Sequence, residues 1–141
     1  MAKTDNGLAE MIPASTLRAI AGARLDDARH LLAAERFDGA AYLCGYSVEL
    51  ALKARICDTL GWSDFPESSK EFQPYQSLRT HSLEVLLTFT GQQQNVKTNH
   101  LAEWSAVAGW DPESRYKPIG TTPEPEAQEM IDAAAKLLEV L

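Results

Sequence analysis

DGAAYLCGYSVELALKARICDTLG, residues 38–61, predicts the central helix of a helical bundle. Asp38 is a favoured N-cap residue, and Gly61 lies where a left-handed residue ends a helix. Apolar residues cover most of the circumference between them, and a helix that is apolar nearly all round is buried. The segment spans roughly 34 Å. The other elements of a small domain are therefore expected to pack along it.

Four polar or aromatic side chains interrupt this apolar helix. Tyr42, Tyr46, Glu49 and Lys53 recur at spacings of 4, 3 and 4, which places them in one stripe on the helix surface. Glu49 and Lys53 stand in the favourable order for an ion pair four residues apart. Two interpretations follow: the pair fixes the packing register of the helix, or it forms one wall of a polar cleft.

The rest of the chain predicts an all-α fold, an up-and-down bundle of four main helices plus one short helix. No alternation typical of strands is present. Ser15 or Thr16, Thr80, and Thr122 followed by Pro123 are expected to begin helices. The predicted helices span residues 16–35, 38–60, 81–90, 100–108 and 123–140. The last helix has the clearest apolar face, formed by Ala127, Met130, Ile131, Ala134, Leu137, Leu138 and Leu141.

The segments between these helices lack apolar periodicity. Residues 1–14 are expected to be a flexible tail and residues 15–141 a single domain. Residues 62–79 are predicted to form a long connection, and residues 92–99 a polar linker. The aromatic residues expected to anchor the long connection are Trp62, Phe65, Phe72 and Tyr75.

Net charge, cysteine positions and the lack of long apolar segments limit the partners and the cellular compartment that we expect. The 141 residues carry a net charge of −7, so the whole surface does not favour nucleic acid or anionic lipid, although seven arginines and six lysines can form a local basic patch. Cys44 and Cys57 lie about 20 Å apart on one helix, too far for a disulfide. No stretch has the pattern of a signal peptide or a membrane span. We therefore expect a cytoplasmic protein without membrane contact.

Three segments resemble, in order, the HEPN domain family (the higher-eukaryote and prokaryote nucleotide-binding domain). YLCGYSVELALKA, residues 42–54, is similar to the aromatic run that leads into E-x-x-x-K-A in the second helix of that family. THSLEVL, residues 80–86, is similar to the family's K/T-H-x-L-x-x-L. ESRYKP, residues 113–118, is similar to its E-S-R-Y-P, with Lys117 as a one-residue departure. The resemblance covers roughly residues 17–118.

The resemblance implies a helical bundle, frequent homodimers and frequent pairing with a minimal nucleotidyltransferase. Some members are ribonuclease toxins of toxin–antitoxin systems, in which an arginine and a histidine are separated by four to six residues in the later half of the domain. Here that spacing occurs at Arg24 and His30, within the first predicted helix. Their side chains point about 120° apart on a helix. We therefore expect Arg24 and His30 to do no chemistry and the usual motif to be absent from its place.

The candidate ligand- or partner-binding residues come from the stripe and the two later motifs. His81 is either a surface or packing residue at a helix start or an acid or base, and Arg115 with Tyr116 either binds phosphate or ties its loop to the bundle. We expect Arg115 to form a fork with the Glu49 carboxylate, because a carboxylate among apolar neighbours needs a partner. No residue is expected to be catalytic, and no metal or cofactor is expected. The candidate residues are Tyr42, Tyr46, Glu49, Lys53, His81, Arg115 and Tyr116.

Three functions remain open on the sequence. The leading hypothesis is a non-catalytic HEPN-like binding or partner module, dimeric, that associates with a nucleotidyltransferase or a nucleotide. The alternative is a ribonuclease toxin of a toxin–antitoxin system with an RNA substrate. The third is a stand-alone nucleotide-binding domain. Tyr42, Tyr46 and Trp104 are expected to supply the aromatic surface of a symmetric dimer.

Overall fold

The computed structural model describes residues 11–66 and 80–141, and this part of the chain is mostly helical. The all-α prediction is therefore confirmed. Helix α2 packs against α1, α3 and α6, which makes it the centre of the fold. The elements are β1 (Met11–Pro13), α1 (Ala14–Ala33), α2 (Phe37–Leu60), β2 (Asp64–Pro66), α3 (Leu83–Thr90), α4 (Gln93–Asn99), α5 (Leu101–Val107), a 3-10 helix (Pro112–Tyr116) and α6 (Glu124–Val140).

Helix α2 is buried along its length, as its composition predicts. Twelve of its residues are buried, and they lie on all sides of the helix. Gly61 ends it at φ 72, the left-handed conformation expected there. The predicted start is wrong by one residue, because the helix begins at Phe37 and Arg36 occupies the N-cap position. Asp38 lies in the first turn, which frees its carboxylate for another partner.

Two strands form a small antiparallel sheet that the sequence did not predict. Ile12 pairs with Phe65, whose side chain is 1% exposed. Each strand has three residues, too few to show a period of two. Part of the predicted tail is thus ordered structure, while residues 1–10 lie outside the described residues. Phe72 and Tyr75, two of the predicted anchors, also lie outside them.

The predicted starts of α1, α3 and α6 need correction. Pro13, which has no N–H, occupies the N-cap position of α1, and neither Ser15 nor Thr16 caps it. Ser82 caps α3 by accepting a hydrogen bond from the backbone N–H of Val85. Thr80 is not the cap. Its hydroxyl oxygen instead accepts a hydrogen bond from the backbone N–H of Ser82.

Pro123 stands at the N-cap position of α6, so Thr122 is not the cap there either. The apolar face predicted for α6 is buried, including Met130 and Leu137. A further correction concerns residues 92–99, predicted as a polar linker, because most of them form α4. One apolar residue of α4, Val96, is fully buried, and a single apolar position produces no detectable period.

Both cysteines are free, as predicted, and both are fully buried. Cys44 donates a hydrogen bond to the carbonyl oxygen of Met130 at 3.2 Å, which links α2 to α6. Burial raises the pKa of the Cys44 thiol to about 12 and that of Cys57 to about 11. Within residues 11–66 and 80–141, none of the helices has the length and apolar character needed to cross a membrane.

Candidate ligand-binding site

The Glu49 carboxylate is the buried centre of the polar stripe. Glu49 is 2% exposed. Its Oε2 lies 3.0 Å from Nζ of Lys53. Nδ1 of His81 lies 2.9 Å from Oε1 and 3.1 Å from Oε2. A carboxylate paired with a lysine can only accept, so Nδ1 of His81 carries the proton. The His81 side chain is 57% exposed. The pair thus fixes the ring and leaves Nε2 as the nitrogen available to a ligand.

Lys53 closes the cluster on the side away from the solvent. Its side chain is 15% exposed, and its ammonium lies 5.4 Å from the ring centre of Phe65 in a cation–π contact. Phe65 belongs to β2, so the small sheet covers this end of the stripe. Lys53 therefore neutralises Glu49 from the interior rather than facing a ligand.

Aromatic rings surround Tyr46 at the open end of the stripe. Its ring makes edge contacts with Tyr42 at 5.2 Å, Trp110 at 4.8 Å and His81 at 6.3 Å between ring centres. Burial, and then hydrogen bonding to Tyr42, raises the pKa of Tyr46 to about 12. Tyr46 is therefore a neutral hydroxyl at physiological pH. Its position between the other rings makes it a structural support for them.

Trp110 packs directly on the backbone of α2 at Gly45. A Cβ atom built on Gly45 would lie 2.2 Å from three carbons of the indole ring, which no real side chain permits. The indole Nε1 is buried without a hydrogen-bond partner among the described residues. This close approach holds the segment after α5 against the middle of α2. The sequence did not single out Trp110, and a glycine inside a strong helical pattern was the available signal.

The 3-10 helix carries Arg115 to the same place. Asp111 caps it by accepting from the N–H of Glu113, and Nη1 of Arg115 donates to the carbonyl oxygen of Pro112 at 3.2 Å. The guanidinium lies 4.7 Å from the ring centre of Tyr116. Hydrogen bonding to the hydroxyls of Tyr116 and Tyr42 raises the pKa of Arg115, which therefore stays a cation.

The predicted fork between Arg115 and Glu49 is wrong. His81 and Lys53 occupy the Glu49 carboxylate, and in the part of the chain described by the structure no carboxylate forms an ion pair with Arg115. Tyr116 is 72% exposed and its ring lies against Arg115. It is not among the ring contacts of Tyr46. The physical reason is proximity, since Lys53 stands one turn along α2 from Glu49 and His81, just before α3, lies within hydrogen-bond distance of it.

Two clefts open on either side of Trp110 and Arg115. The first, of about 550 Å³, contains His81 and is called the His81 cleft. The second, of about 490 Å³, contains Asp38 and Tyr42 and is called the Asp38 cleft. Besides Trp110 and Arg115, the clefts share Gly109 and Asp111. The two clefts are therefore neighbouring parts of one surface.

The structure thus divides the predicted site residues into three groups. Tyr42, His81 and Arg115 line the clefts. Glu49, Lys53 and Tyr46 lie behind them and support them. Tyr116 is exposed and lies against Arg115. The sequence missed Trp110, Lys117 and Asp38, all of which line the Asp38 cleft.

Arg24 and His30 lie elsewhere, on the exposed surface of α1. Arg24 pairs with Asp27 at 2.6 Å, and His30 contacts the backbone oxygen of Asp26 at 2.8 Å.

The fold and the site define an all-α protein with paired polar clefts beside its buried helix. The family model of the HEPN domain matches residues 14–66, which include α1, α2 and β2. This match confirms the resemblance over residues 14–66. The segments THSLEVL and ESRYKP lie beyond it. No curated protein and no solved structure matches the chain.

Proposed function

We propose that this protein is a HEPN-like binding module that holds a nucleotide across the two clefts and acts together with a partner, without catalysis of its own. The observation that carries the proposal is the position of Arg115. It lines both clefts, beside His81 in one and beside Tyr42 in the other. A cation between a histidine and aromatic rings suits a ligand that has a phosphate and a planar ring.

The cation that lies where the two clefts meet favours an anionic ligand. Lys53 already compensates Glu49, and Arg115 has no ion pair among residues 11–66 and 80–141. The charge of its guanidinium is thus not neutralised by a carboxylate, and it can attract a phosphate while it keeps its hydrogen bonds to Tyr116 and Tyr42. Lys117 adds a second cation in the Asp38 cleft. Asp38, Asp111 and Glu126 also line this cleft, and the first two already accept hydrogen bonds from backbone N–H groups.

The aromatic side chains support a planar ring next to the phosphate. Trp110 and Tyr42 both line the Asp38 cleft, and stacking of a base on an aromatic ring contributes about 1–3 kcal/mol. A cleft of about 490 Å³ falls within the size range of small-molecule sites. We therefore assign the base to the Asp38 cleft and the phosphate to Arg115 and the His81 cleft.

Calorimetric titration with AMP and GMP tests this function. Arg115→Ala should weaken binding about 10–100-fold, as expected for loss of a charged hydrogen bond. The matched control is Arg29→Ala, which removes the same charge from an exposed α1 residue paired with Asp26. Absence of nucleotide binding at millimolar concentration, or equal affinity of the Arg115→Ala variant and the native protein, would overturn the proposal.

The proposed partners are a second copy of the chain and a minimal nucleotidyltransferase. Both come from the family resemblance. Co-expression with a minimal nucleotidyltransferase should yield a complex that survives size-exclusion chromatography. Recovery of the two proteins in separate peaks would remove the pairing from the proposal.

RNA cleavage is a second candidate function, favoured by one observation. Glu49 holds Nδ1 of His81, which leaves Nε2 for proton transfer, and Arg115 in the same cleft can stabilise charge on a phosphate. If the protein is a ribonuclease, His81→Ala should abolish cleavage of a single-stranded RNA and growth arrest of a bacterial host. The variant with both Arg24→Ala and His30→Ala should leave cleavage unchanged.

A further inference from the structure

The outer wall of the Asp38 cleft is an exposed segment, residues 117–122, called here the strap. Its residues from 117 to 121 are exposed, and the side chain of Ile119 is 99% exposed. Five of its residues nevertheless line the cleft. The strap therefore closes one side of the cleft without burying apolar side chains in the core.

The contact that joins the strap to α2 is the carboxylate of Asp38. One oxygen accepts from the backbone N–H of Gly120 at 2.7 Å, and the other accepts from that of Thr122 at 2.8 Å. Gly120 adopts φ +89, a conformation that residues with a side chain rarely adopt. Within the strap, the hydroxyl of Thr121 donates to the carbonyl oxygen of Pro118 at 2.5 Å. The strap is thus shaped locally but attached to α2 through one side chain.

We propose that Asp38 is a positioning residue that latches the strap over the Asp38 cleft, and that release of this latch admits and releases the ligand. The proposal rests on the proposed function, because it concerns the same cleft. A segment with little apolar burial and few hydrogen bonds opens at low free-energy cost. Two hydrogen bonds to one carboxylate break together when that side chain turns away. Opening therefore needs the movement of a single side chain, whereas the core remains packed.

The latch has a direct consequence for ligand exchange. Lys117 lies at one end of the strap and follows Tyr116, the ring against which Arg115 stacks. While the strap is closed, Lys117 and Arg115 face the same cleft as Tyr42. When it opens, the cleft loses the wall that contains Lys117. A weakened latch should therefore raise both the association and the dissociation rate of a ligand, with a smaller change in the dissociation constant.

Asp38→Asn tests the latch, because it keeps the side-chain shape but leaves one oxygen and no charge. Asp27→Asn on the exposed surface of α1 is the matched control. Amide hydrogen exchange at Gly120 and Thr122 should accelerate at least tenfold in Asp38→Asn and stay unchanged in the control. Stopped-flow measurements with a fluorescent AMP analogue should show both rates raised at least fivefold. Unchanged exchange, or faster exchange with unchanged ligand rates, would overturn the proposal.

Two further measurements keep the outcomes separable. Inorganic phosphate tests the phosphate site of the native protein by itself, because its contacts are assigned to Arg115 and the His81 cleft. If neither phosphate nor AMP binds the native protein, the proposed function fails, and the proposal of ligand gating fails with it, whatever the exchange shows. If Asp38→Asn does not fold, amide hydrogen exchange in the native protein tests the latch instead. AMP should slow exchange at the amides of Gly120 and Thr122 at least fivefold. Equal exchange with and without AMP would overturn the latch.

Discussion

Glu49 shows how one buried charge organises the side chains around it. Its carboxylate is almost inaccessible, and the chain supplies one cation from the same helix and one histidine from the start of another segment. An isolated charge in such a position would cost several kcal/mol. The need for a partner could be predicted from the sequence. The choice of His81 over Arg115 depended on which side chain the fold brought within hydrogen-bond distance.

The first prediction concerns this carboxylate. Glu49→Ala should lower the free energy of unfolding by about 3 kcal/mol, because it leaves Lys53 without its buried partner. Glu49→Gln should cost less, since the amide oxygen can still accept from His81. Urea unfolding followed by circular dichroism measures both changes. Glu129→Ala on the exposed face of α6 is the control and should change stability by less than about 0.5 kcal/mol; an equally small effect of Glu49→Ala would contradict the prediction.

The second prediction concerns the ionisation of Asp38. Backbone hydrogen bonds from Gly120, and then from Thr122, hold the pKa of the Asp38 carboxyl below its ordinary value of 3.8. A lowered pKa in the folded state means that the carboxylate stabilises the protein at pH values above the ordinary pKa. This contribution is lost as the pH falls through the lowered pKa.

The native protein should accordingly be more stable than Asp38→Asn near pH 6, and the difference should shrink as the pH falls toward about 2. Thermal unfolding of both proteins from pH 6 to pH 2 measures it. A difference that stays constant over the whole range would show that the charge on Asp38 is not responsible.

At the scale of elements, α2 and the segment after α5 pack closely because Gly45 has no side chain. Gly45 would ordinarily be a weak point in a helix, costing about 1 kcal/mol relative to alanine. Here the missing Cβ lets the Trp110 indole rest on the backbone. The same indole separates the two clefts. Gly45 thus lowers the local helix propensity of α2 but allows Trp110 to form a wall of both clefts.

The third prediction compares two glycines in helices. Gly45→Ala should lower stability by about 1–3 kcal/mol, because the added Cβ overlaps the Trp110 ring and forces it out of place. It should also change the tryptophan fluorescence. Gly22→Ala is the matched control, since a Cβ there meets nothing within 4 Å. The control should raise stability by up to about 1 kcal/mol, and a stabilising effect of Gly45→Ala would contradict the prediction.

At the scale of the whole molecule, the surface that we expected to form a dimer needs correction. Trp104 is 2% exposed, and its Nε1 donates to the Glu84 carboxylate at 2.8 Å, so it contributes nothing to the surface. Tyr42 and Tyr46 are partly buried in the cleft region. Apolar side chains are exposed instead at other positions, namely Leu60, Val85, Leu101, Tyr116 and Ile119.

The fourth prediction is that the protein is still a dimer. Exposed side chains such as Leu101, 57% exposed, and Ile119 are commonly covered by a symmetric partner. Sedimentation at tens of micromolar should give twice the chain mass of 15.5 kDa. Leu101→Ser and Ile119→Ser, measured separately, identify which side chain lies in the contact. A mass of 15.5 kDa for the native protein would exclude the dimer at these concentrations.

The sequence by itself determined the helical class, the buried central helix, its glycine end and the apolar face of α6, because these features depend on periodicity and on local backbone preference. It also identified Tyr42, His81 and Arg115, which line the clefts. Only the tertiary structure decided that His81 pairs with Glu49, that Asp38 holds residues 117–122, and that Trp110 rests on Gly45. Each of these contacts joins residues more than 30 positions apart, and such contacts are set by how the helices pack rather than by any local pattern.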